Sequence, residues 1–153
     1  MQIAREQSTK NLKSILKKIC QLTNFSYGEI WLPDEDILVL SPYYHVVSDN
    51  YQYDNELFHE CSKGFIMTKG EGLPGRVFLT KKPEWMLDVS IESEESFLRN
   101  KIAGICSVKT GFAIPVIKEE KVLSIMAFFA CDIKPYSSEC IKLAMDSVTK
   151  LSE

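Results

Sequence analysis

The chain has 153 residues, of which 45% are hydrophobic and 25% are charged, and its formal net charge is -3. This length fits one domain with a substantial core, so we expect a single domain over residues 1–153. The small negative charge offers no basic field for nucleic acid. The apolar run at residues 122–131 is too short to cross a bilayer as a helix, and the N-terminus lacks the apolar part of a secretory signal. We therefore expect a cytoplasmic protein without membrane contact.

The apolar residues near the N-terminus recur at helical spacing and predict an amphipathic helix over residues 6–22. Two β-rich runs follow at residues 27–32 and 37–47, and the polar turn between them predicts an antiparallel hairpin. Asp54 then offers an N-cap for a short helix, which Gly64 is expected to end.

The segment at residues 69–90, KGEGLPGRVFLTKKPEWMLDVS, places glycines and prolines among core-like residues. Gly70 and Gly72 allow backbone angles denied to other residues, and Pro74 suits the first turn of a short helix. Residues 84–89 are predicted to be extended. The glycine spacing matches neither common phosphate loop, so we interpret the segment as the wall of a pocket.

Ser93 is predicted to cap a helix that turns three apolar side chains inward: Leu98, Ile102 and Ile105. A second hairpin is predicted from residues 111–117 and 122–130, and a last helix begins near Ser137. Strands grouped in antiparallel hairpins, with helices between and at both ends, indicate an α+β fold class. We expect one antiparallel sheet with the terminal helices on one face and the middle segment over the other.

The chain has five cysteines, which are odd in number and widely separated: Cys20, Cys61, Cys106, Cys131 and Cys140. This pattern resembles reduced, mostly buried thiols more than a disulfide framework. No pair has CxxC spacing, and the only histidines are His45 and His59. We therefore predict no metal site.

Four runs of the sequence carry a resemblance to a known family: YGEIWLPDEDILVLSPYYH, GEGLPGRVFLTKKPEWMLDVS, FLRNKIAGICSVKTGFAIPVI and VLSIMAFFA. They resemble GAF domains, especially those of bacterial and cyanobacterial sensor histidine kinases. The resemblance covers about residues 20–131 and implies a PAS-like fold with a pocket between the sheet and short helices. GAF domains share this pocket and differ in what fills it, so the resemblance names no ligand.

The implied architecture would line the pocket with twelve side chains: Trp31, Tyr44, Phe65, Leu73, Trp85, Met86, Asp88, Phe97, Phe112, Ile114, Met126 and Phe128. Asp88 and Arg76 would be its polar groups. The alternative is that the aromatic residues fill the core, Asp88 is a turn or cap residue, and Arg76 is a surface or ion-paired residue. The terminal helices would supply packing on the sheet and a homodimer contact through Leu12, Ile15, Ile19, Ile141, Met145 and Val148.

The resemblance leaves the cofactor unknown. No cysteine is followed by histidine, so covalent bilin attachment is not expected. Haem would need His45 or His59 as an axial ligand, and both are interpreted instead as surface or hydrogen-bonded side chains. The chain also lacks the cysteine grouping of the free methionine-(R)-sulfoxide reductases, which share the fold. We predict a non-catalytic sensory or regulatory module acting with a kinase or other signalling domain, or alternatively a ligand-free dimerisation scaffold.

Overall fold

The structure, a computed structural model, describes the backbone of residues 2–152 and the side chains of residues 11–149. The fold is α+β, as predicted. Over residues 2–152 the helices are α1 (Gln2–Thr23), α2 (Gln52–Ser62), α3 (Gly72–Thr80), α4 (Asn100–Ile105) and α5 (Ser138–Ser152). The strands are β1 (Tyr27–Asp34), β2 (Ile37–Val46), β3 (Ile66–Thr68), β4 (Glu84–Met86), β5 (Gly111–Lys118) and β6 (Lys121–Phe129). None of these helices combines the length and the apolar character that a membrane span needs.

The six strands form one antiparallel sheet in the order β3-β2-β1-β6-β5-β4. Both predicted hairpins are confirmed, and their inner strands β1 and β6 pair at the centre of the sheet. Since successive side chains of a strand point to opposite faces, each central strand contributes side chains to two hydrophobic cores, one on each face of the sheet. We call these faces the α1–α5 face, which holds Ile30 and Met126, and the α2–α4 face, which holds Tyr27, Trp31 and Phe129.

Two of the predicted helix starts are wrong. Helix α2 begins at Gln52, so Asp54 lies in its first turn and is not its N-cap. Helix α4 begins only at Asn100, after a separate turn in which the Phe97 N–H bonds the Ser93 carbonyl and the Phe97 ring is buried. Ile105, which was predicted to face inward, is 74% exposed at the end of this helix. The predicted start of α5 is confirmed, since the Ser137 hydroxyl accepts the Cys140 N–H at 3.1 Å.

The glycine-rich segment forms the turn that leads into α3, as the sequence predicts. Gly70 and Gly72 have φ of +92° and +67°, which is the left-handed region that other residues rarely adopt. The Gly70 N–H bonds the Gly75 carbonyl at 2.7 Å, so this turn folds back on the helix. A Cβ on Gly75 would lie 2.5 Å from the Thr68 carbonyl oxygen. The segment therefore packs backbone against backbone at a distance that only glycine permits.

Candidate functional site

The structure divides the predicted pocket residues between the two faces of the sheet. Six lie on the α2–α4 face: Trp31, Tyr44, Phe65, Leu73, Met86 and Phe97. Five lie on the α1–α5 face: Trp85, Phe112, Ile114, Met126 and Phe128. Phe112 is paired with Phe128 and Ile114 with Met126, so strand alternation turns all four toward the terminal helices. The prediction that these five line one pocket with the other six is therefore wrong.

The two polar residues of the predicted pocket have structural partners. The Asp88 carboxylate accepts the Ser90 N–H at 3.0 Å and so caps a short 3-10 turn. The Arg76 guanidinium lies 2.7 Å from the Glu84 carboxylate and also donates to the Ser96 carbonyl. These contacts correspond to the alternative interpretation, in which Asp88 is a cap and Arg76 is ion-paired.

The six side chains predicted at a dimer contact pack within the chain. Ile19 and Val148 are buried in the core of the α1–α5 face. The other four are partly buried against the same core: Leu12, Ile15, Ile141 and Met145. All six side chains thus hold α1 and α5 on the sheet, and the four partly buried ones also remain partly exposed to solvent.

The α2–α4 face encloses a buried polar cluster that sequence reasoning did not assemble. We call it the Glu29 cluster and define it by Tyr27, Glu29, Trp31, His59, Ser62 and Arg99. Each of these residues is at most 2% exposed. At its centre Arg99 donates from Nη1 to Glu29 Oε1 and from Nη2 to Glu29 Oε2, both at 2.8 Å. This bidentate pairing is the strong geometry for a guanidinium and a carboxylate.

Two further donors complete the coordination of the Glu29 carboxylate. The Tyr27 hydroxyl donates to Oε1 at 2.9 Å, and the Trp31 indole N–H donates to Oε2. Each carboxylate oxygen therefore receives two hydrogen bonds. Ser62, at the end of α2, accepts from Arg99 Nη1 at 3.0 Å. The buried charge of Glu29 is thus matched by one cation and two neutral donors, which offsets much of the cost of removing it from water.

Aromatic rings surround the Arg99 guanidinium. Its central carbon lies 4.9–5.4 Å from the ring centroids of four residues: Trp31, Phe58, Phe97 and Phe129. The faces of aromatic rings attract cations, so this enclosure adds to the carboxylate pairing. Arg99 immediately precedes α4, and the turn that buries Phe97 also carries the guanidinium inward.

His59 joins the cluster through Tyr27 and has one nitrogen without a partner. Because the single hydroxyl proton of Tyr27 is donated to Glu29, the Tyr27 oxygen must accept the proton of His59 Nδ1 at 2.9 Å. The neutral ring then presents a bare acceptor at Nε2, which is buried and has no hydrogen-bond partner among the described residues 11–149. Within the same residues, the Nε–H of Arg99 is likewise buried without an acceptor. Such buried unpaired groups are uncommon in folded proteins.

Burial lowers the pKa of His59 below its ordinary value of 6.5. Lys63 and Arg99 add to this lowering, while Glu29 and Glu60 partly oppose it. A lowered pKa means that the folded protein binds fewer protons than the unfolded one in mildly acidic solution. The contribution of neutral His59 to the free energy of unfolding is therefore fully present above about pH 6.5. It is lost as the pH falls from there toward the folded pKa.

We expect the free energy of unfolding to decline as the pH falls below about 6.5 and His59→Asn to flatten this decline, because asparagine cannot acquire the buried charge. His45→Asn is the comparison: burial lowers the pKa of His45 as well, but this side chain is only half-buried, so its replacement should flatten the decline less than His59→Asn does. Urea unfolding at a series of pH values measures both. Equal slopes for His59→Asn and the parent chain would contradict the assignment.

The space between the sheet and the middle helices is filled by the protein itself. Tyr27, Trp31, Leu73 and Phe97 have 0% exposed surface. Since a void large enough for a water molecule would expose the atoms that line it, no such void adjoins these side chains. His59 is also stacked on Tyr44 with the ring centroids 3.8 Å apart. The arrangement leaves no room for a haem at His59, and a ligand that is to reach the core beside Tyr27, Trp31 and Phe97 must displace side chains.

Three of the five thiols have a raised pKa. Burial raises the pKa of Cys20 to about 12 and that of Cys106 and Cys131 to about 11. A raised pKa opposes the thiolate that nucleophilic or redox chemistry requires. All five cysteines are unpaired, and within the described residues no group of His, Cys, Asp and Glu is arranged to hold a metal ion.

The sequence carries a signal for this cluster. Glu29 stands between Tyr27 and Trp31 in the run of residues 27–32, whose other members are apolar, so strand alternation places its carboxylate on the same inward face as these two rings. A buried carboxylate needs a cation. Arg99, in the run Phe97-Leu98-Arg99, supplies this cation. The two residues are far apart along the chain, so no local sequence pattern indicates that they pair.

The α+β fold described above agrees with the sequence profile of the GAF domain family, which matches residues 9–147. The chain therefore belongs to the GAF domain family. Protein NLP1 of Arabidopsis thaliana is 39% identical over 93 residues, which cover 61% of this chain and 9% of NLP1. Transcription factor bHLH13 of the same plant is 28% identical over 96 residues, covering 54% of this chain and 16% of that protein. The chain thus spans less than a fifth of either relative.

Solved structures share the fold at low identity. A GAF domain/HD domain protein of Geobacter sulfurreducens has a TM-score of 0.73 and 10% identity, covering 95% of this chain and 89% of its own. A free methionine-R-sulfoxide reductase of Thermoplasma acidophilum has a TM-score of 0.69 and 9% identity, with 96% and 91% covered. The GAF domain of a two-component sensor histidine kinase of Bacillus halodurans has 0.67 and 12%, with 94% and 89% covered. These likenesses establish the fold alone.

Proposed function

We propose that this GAF domain is a non-catalytic regulatory module whose α2–α4 face receives a small molecule and whose terminal helices carry the response to a longer signalling protein. The observation that carries the proposal is the pair of buried, unpartnered atoms, Arg99 Nε and His59 Nε2, beneath the short middle helices. A ligand that displaces part of the aromatic packing could form hydrogen bonds with these two atoms, which have no partner within the described part of the chain.

The comparisons support a regulatory setting. One relative is described as a transcription factor, and a structural neighbour is part of a two-component sensor histidine kinase. A kinase or another signalling domain in the parent chain is therefore proposed as the partner of this module. The raised thiol pKa values speak against the sulfoxide reductase chemistry of another neighbour.

The packing of the α2–α4 face favours a second candidate, a ligand-free dimerisation scaffold. In this candidate the Glu29 cluster fills the position of a ligand permanently, and α1 and α5 pair with a second copy of the chain. The partly buried side chains of the terminal helices, such as Ile15 and Met145, would make that contact.

Native mass spectrometry of the purified protein beside a denaturing spectrum separates the two candidates. A mass excess that is lost on denaturation is the expected result for the sensory module, and an absorption scan of the same sample would show whether the bound molecule is coloured. The native spectrum also gives the oligomeric state. Identical masses, repeated after incubation with a metabolite extract, would count against the sensory module and for the scaffold.

The same spectra test the proposed homodimer contact. Ile15→Lys and Met145→Lys should convert a dimer into a monomer, because each would bury a charge at the contact. Asn11→Lys, which adds the same charge at an exposed position of α1, is the matched control. Circular dichroism confirms that each variant remains folded. A dimer mass unchanged in both folded variants would remove the terminal helices as the contact.

A further inference from the structure

The geometry points to a receptor for a planar oxyanion, built by Tyr27, Trp31 and Arg99, which the chain's own Glu29 carboxylate occupies. Four donor groups converge on the two oxygens of one flat, singly charged group: two N–H groups of Arg99, the Tyr27 hydroxyl and the Trp31 indole N–H. Every one of these donors is buried. This inference goes beyond the proposed function and does not depend on it.

Arg99 and Tyr27 are held in place by hydrogen bonds other than those with Glu29. Ser62 accepts from Arg99 Nη1 at 3.0 Å and itself donates to the Phe58 carbonyl at 2.6 Å, which fixes the guanidinium from the side of α2. His59 Nδ1 donates to the Tyr27 oxygen at 2.9 Å and so orients its hydroxyl. A donor set that keeps its own supports retains its shape when the acceptor is removed.

Charge balance gives the receptor its specificity. Arg99 is 1% exposed, and Glu29 is its ion-pair partner at 2.8 Å. Without the carboxylate, the guanidinium would be a buried and uncompensated cation, which is a strongly unfavourable state. A small carboxylate that entered from solution would restore neutrality and all four hydrogen bonds. A neutral molecule of the same shape would not restore the charge balance.

In the parent chain this receptor is closed to external anions. The Glu29 carboxylate is covalently attached to β1, the strand that also carries Tyr27 and Trp31. Its effective concentration at the receptor therefore far exceeds that of any small anion in solution. The domain as it stands therefore does not respond to small carboxylates. An anion could occupy the receptor only when the Glu29 side chain has been removed or displaced.

Chemical rescue of Glu29→Ala tests this assignment. The substitution deletes a fragment with the shape of acetate, so acetate is the matching probe. We expect 100 mM sodium acetate to raise the melting temperature of Glu29→Ala by at least about 3 °C more than sodium chloride at the same ionic strength, with a saturating dose dependence. The parent chain should melt at the same temperature in both salts, and acetamide, the neutral isostere, should not rescue the variant.

The double variant Glu29→Ala/Arg99→Met should lose the rescue, because no cation remains to bind the anion. If Glu29→Ala does not fold in chloride, refolding from urea is followed by circular dichroism in acetate and in chloride. Recovery of the native spectrum in acetate alone supports the receptor. Equal behaviour of Glu29→Ala in acetate and chloride, whether both stabilise it or both leave it unfolded, overturns it.

Discussion

Replacing Arg99 with methionine is expected to lower the free energy of unfolding by about 3–5 kcal/mol, because it leaves the Glu29 carboxylate buried without its cation. For a domain of this size the melting temperature should fall by about 6–20 °C. Methionine keeps the aliphatic part of the side chain but ends near the position of Nε, so the contacts of the guanidinium with the four aromatic rings are lost as well and add to the effect. Thermal unfolding followed by circular dichroism measures the change.

A double variant separates the effect of the uncompensated Glu29 charge from the effect of the altered side-chain shape at position 99. In Glu29→Gln/Arg99→Met the glutamine is neutral, and its amide oxygen still accepts from Tyr27 or Trp31. We expect the double variant to recover at least half of the stability that Arg99→Met loses, because replacing both members of a buried ion pair removes the uncompensated charge. If the loss of stability in the double variant equalled the sum of the losses in Arg99→Met and Glu29→Gln, the pair would not act as a unit.

The second large effect is expected at Gly75, in the glycine-rich turn before α3. Its substitution by alanine would place a Cβ 2.5 Å from the Thr68 carbonyl oxygen, a backbone atom that cannot rotate away. We expect Gly75→Ala to lower the free energy of unfolding by about 1–3 kcal/mol, the usual cost of forcing an extra carbon into a packed site. Urea unfolding monitored by tryptophan fluorescence gives the value.

Gly104→Ala is the matched control for the same chemical change. Gly104 lies in α4, is exposed, and has no atom within 4 Å of a Cβ built on it. Alanine there should raise the stability by about 0.5–1 kcal/mol, because it favours the helix and restricts the unfolded chain. If both variants changed the stability by the same amount, the contact with Thr68 would not be the cause of the loss at Gly75.

Local sequence patterns predicted most of the fold, because α1, α5 and both hairpins follow from apolar periodicity and turn residues alone. The starts of α2 and α4 could not be predicted so well. At both places several polar residues could cap a helix, and before α4 a separate turn that buries Phe97 takes up the predicted start. The aromatic pocket prediction failed for a different reason, since hydrophobicity does not say which of two buried faces a side chain joins.

The candidate site depended on information that no single segment carries. Glu29 and Arg99 are 70 residues apart in the chain, and each alone resembles an ordinary charged residue. Only the sheet topology brings β1 beneath the turn before α4. By contrast, the ion pairing of Arg76 and the capping role of Asp88 were open to sequence reasoning, because their partners lie nearby in the chain.

The position of Gly28, the chain neighbour of Glu29, has a mechanical consequence. A Cβ on Gly28 would lie 3.0 Å from the Phe128 ring and 3.3 Å from the side chain of Leu16 in α1, so the Leu16 side chain rests directly on the strand backbone. Close-packed contacts of this kind have little compressibility. Any movement of the strand that carries the buried carboxylate would therefore be passed to α1 through the fully buried side chain of Leu16.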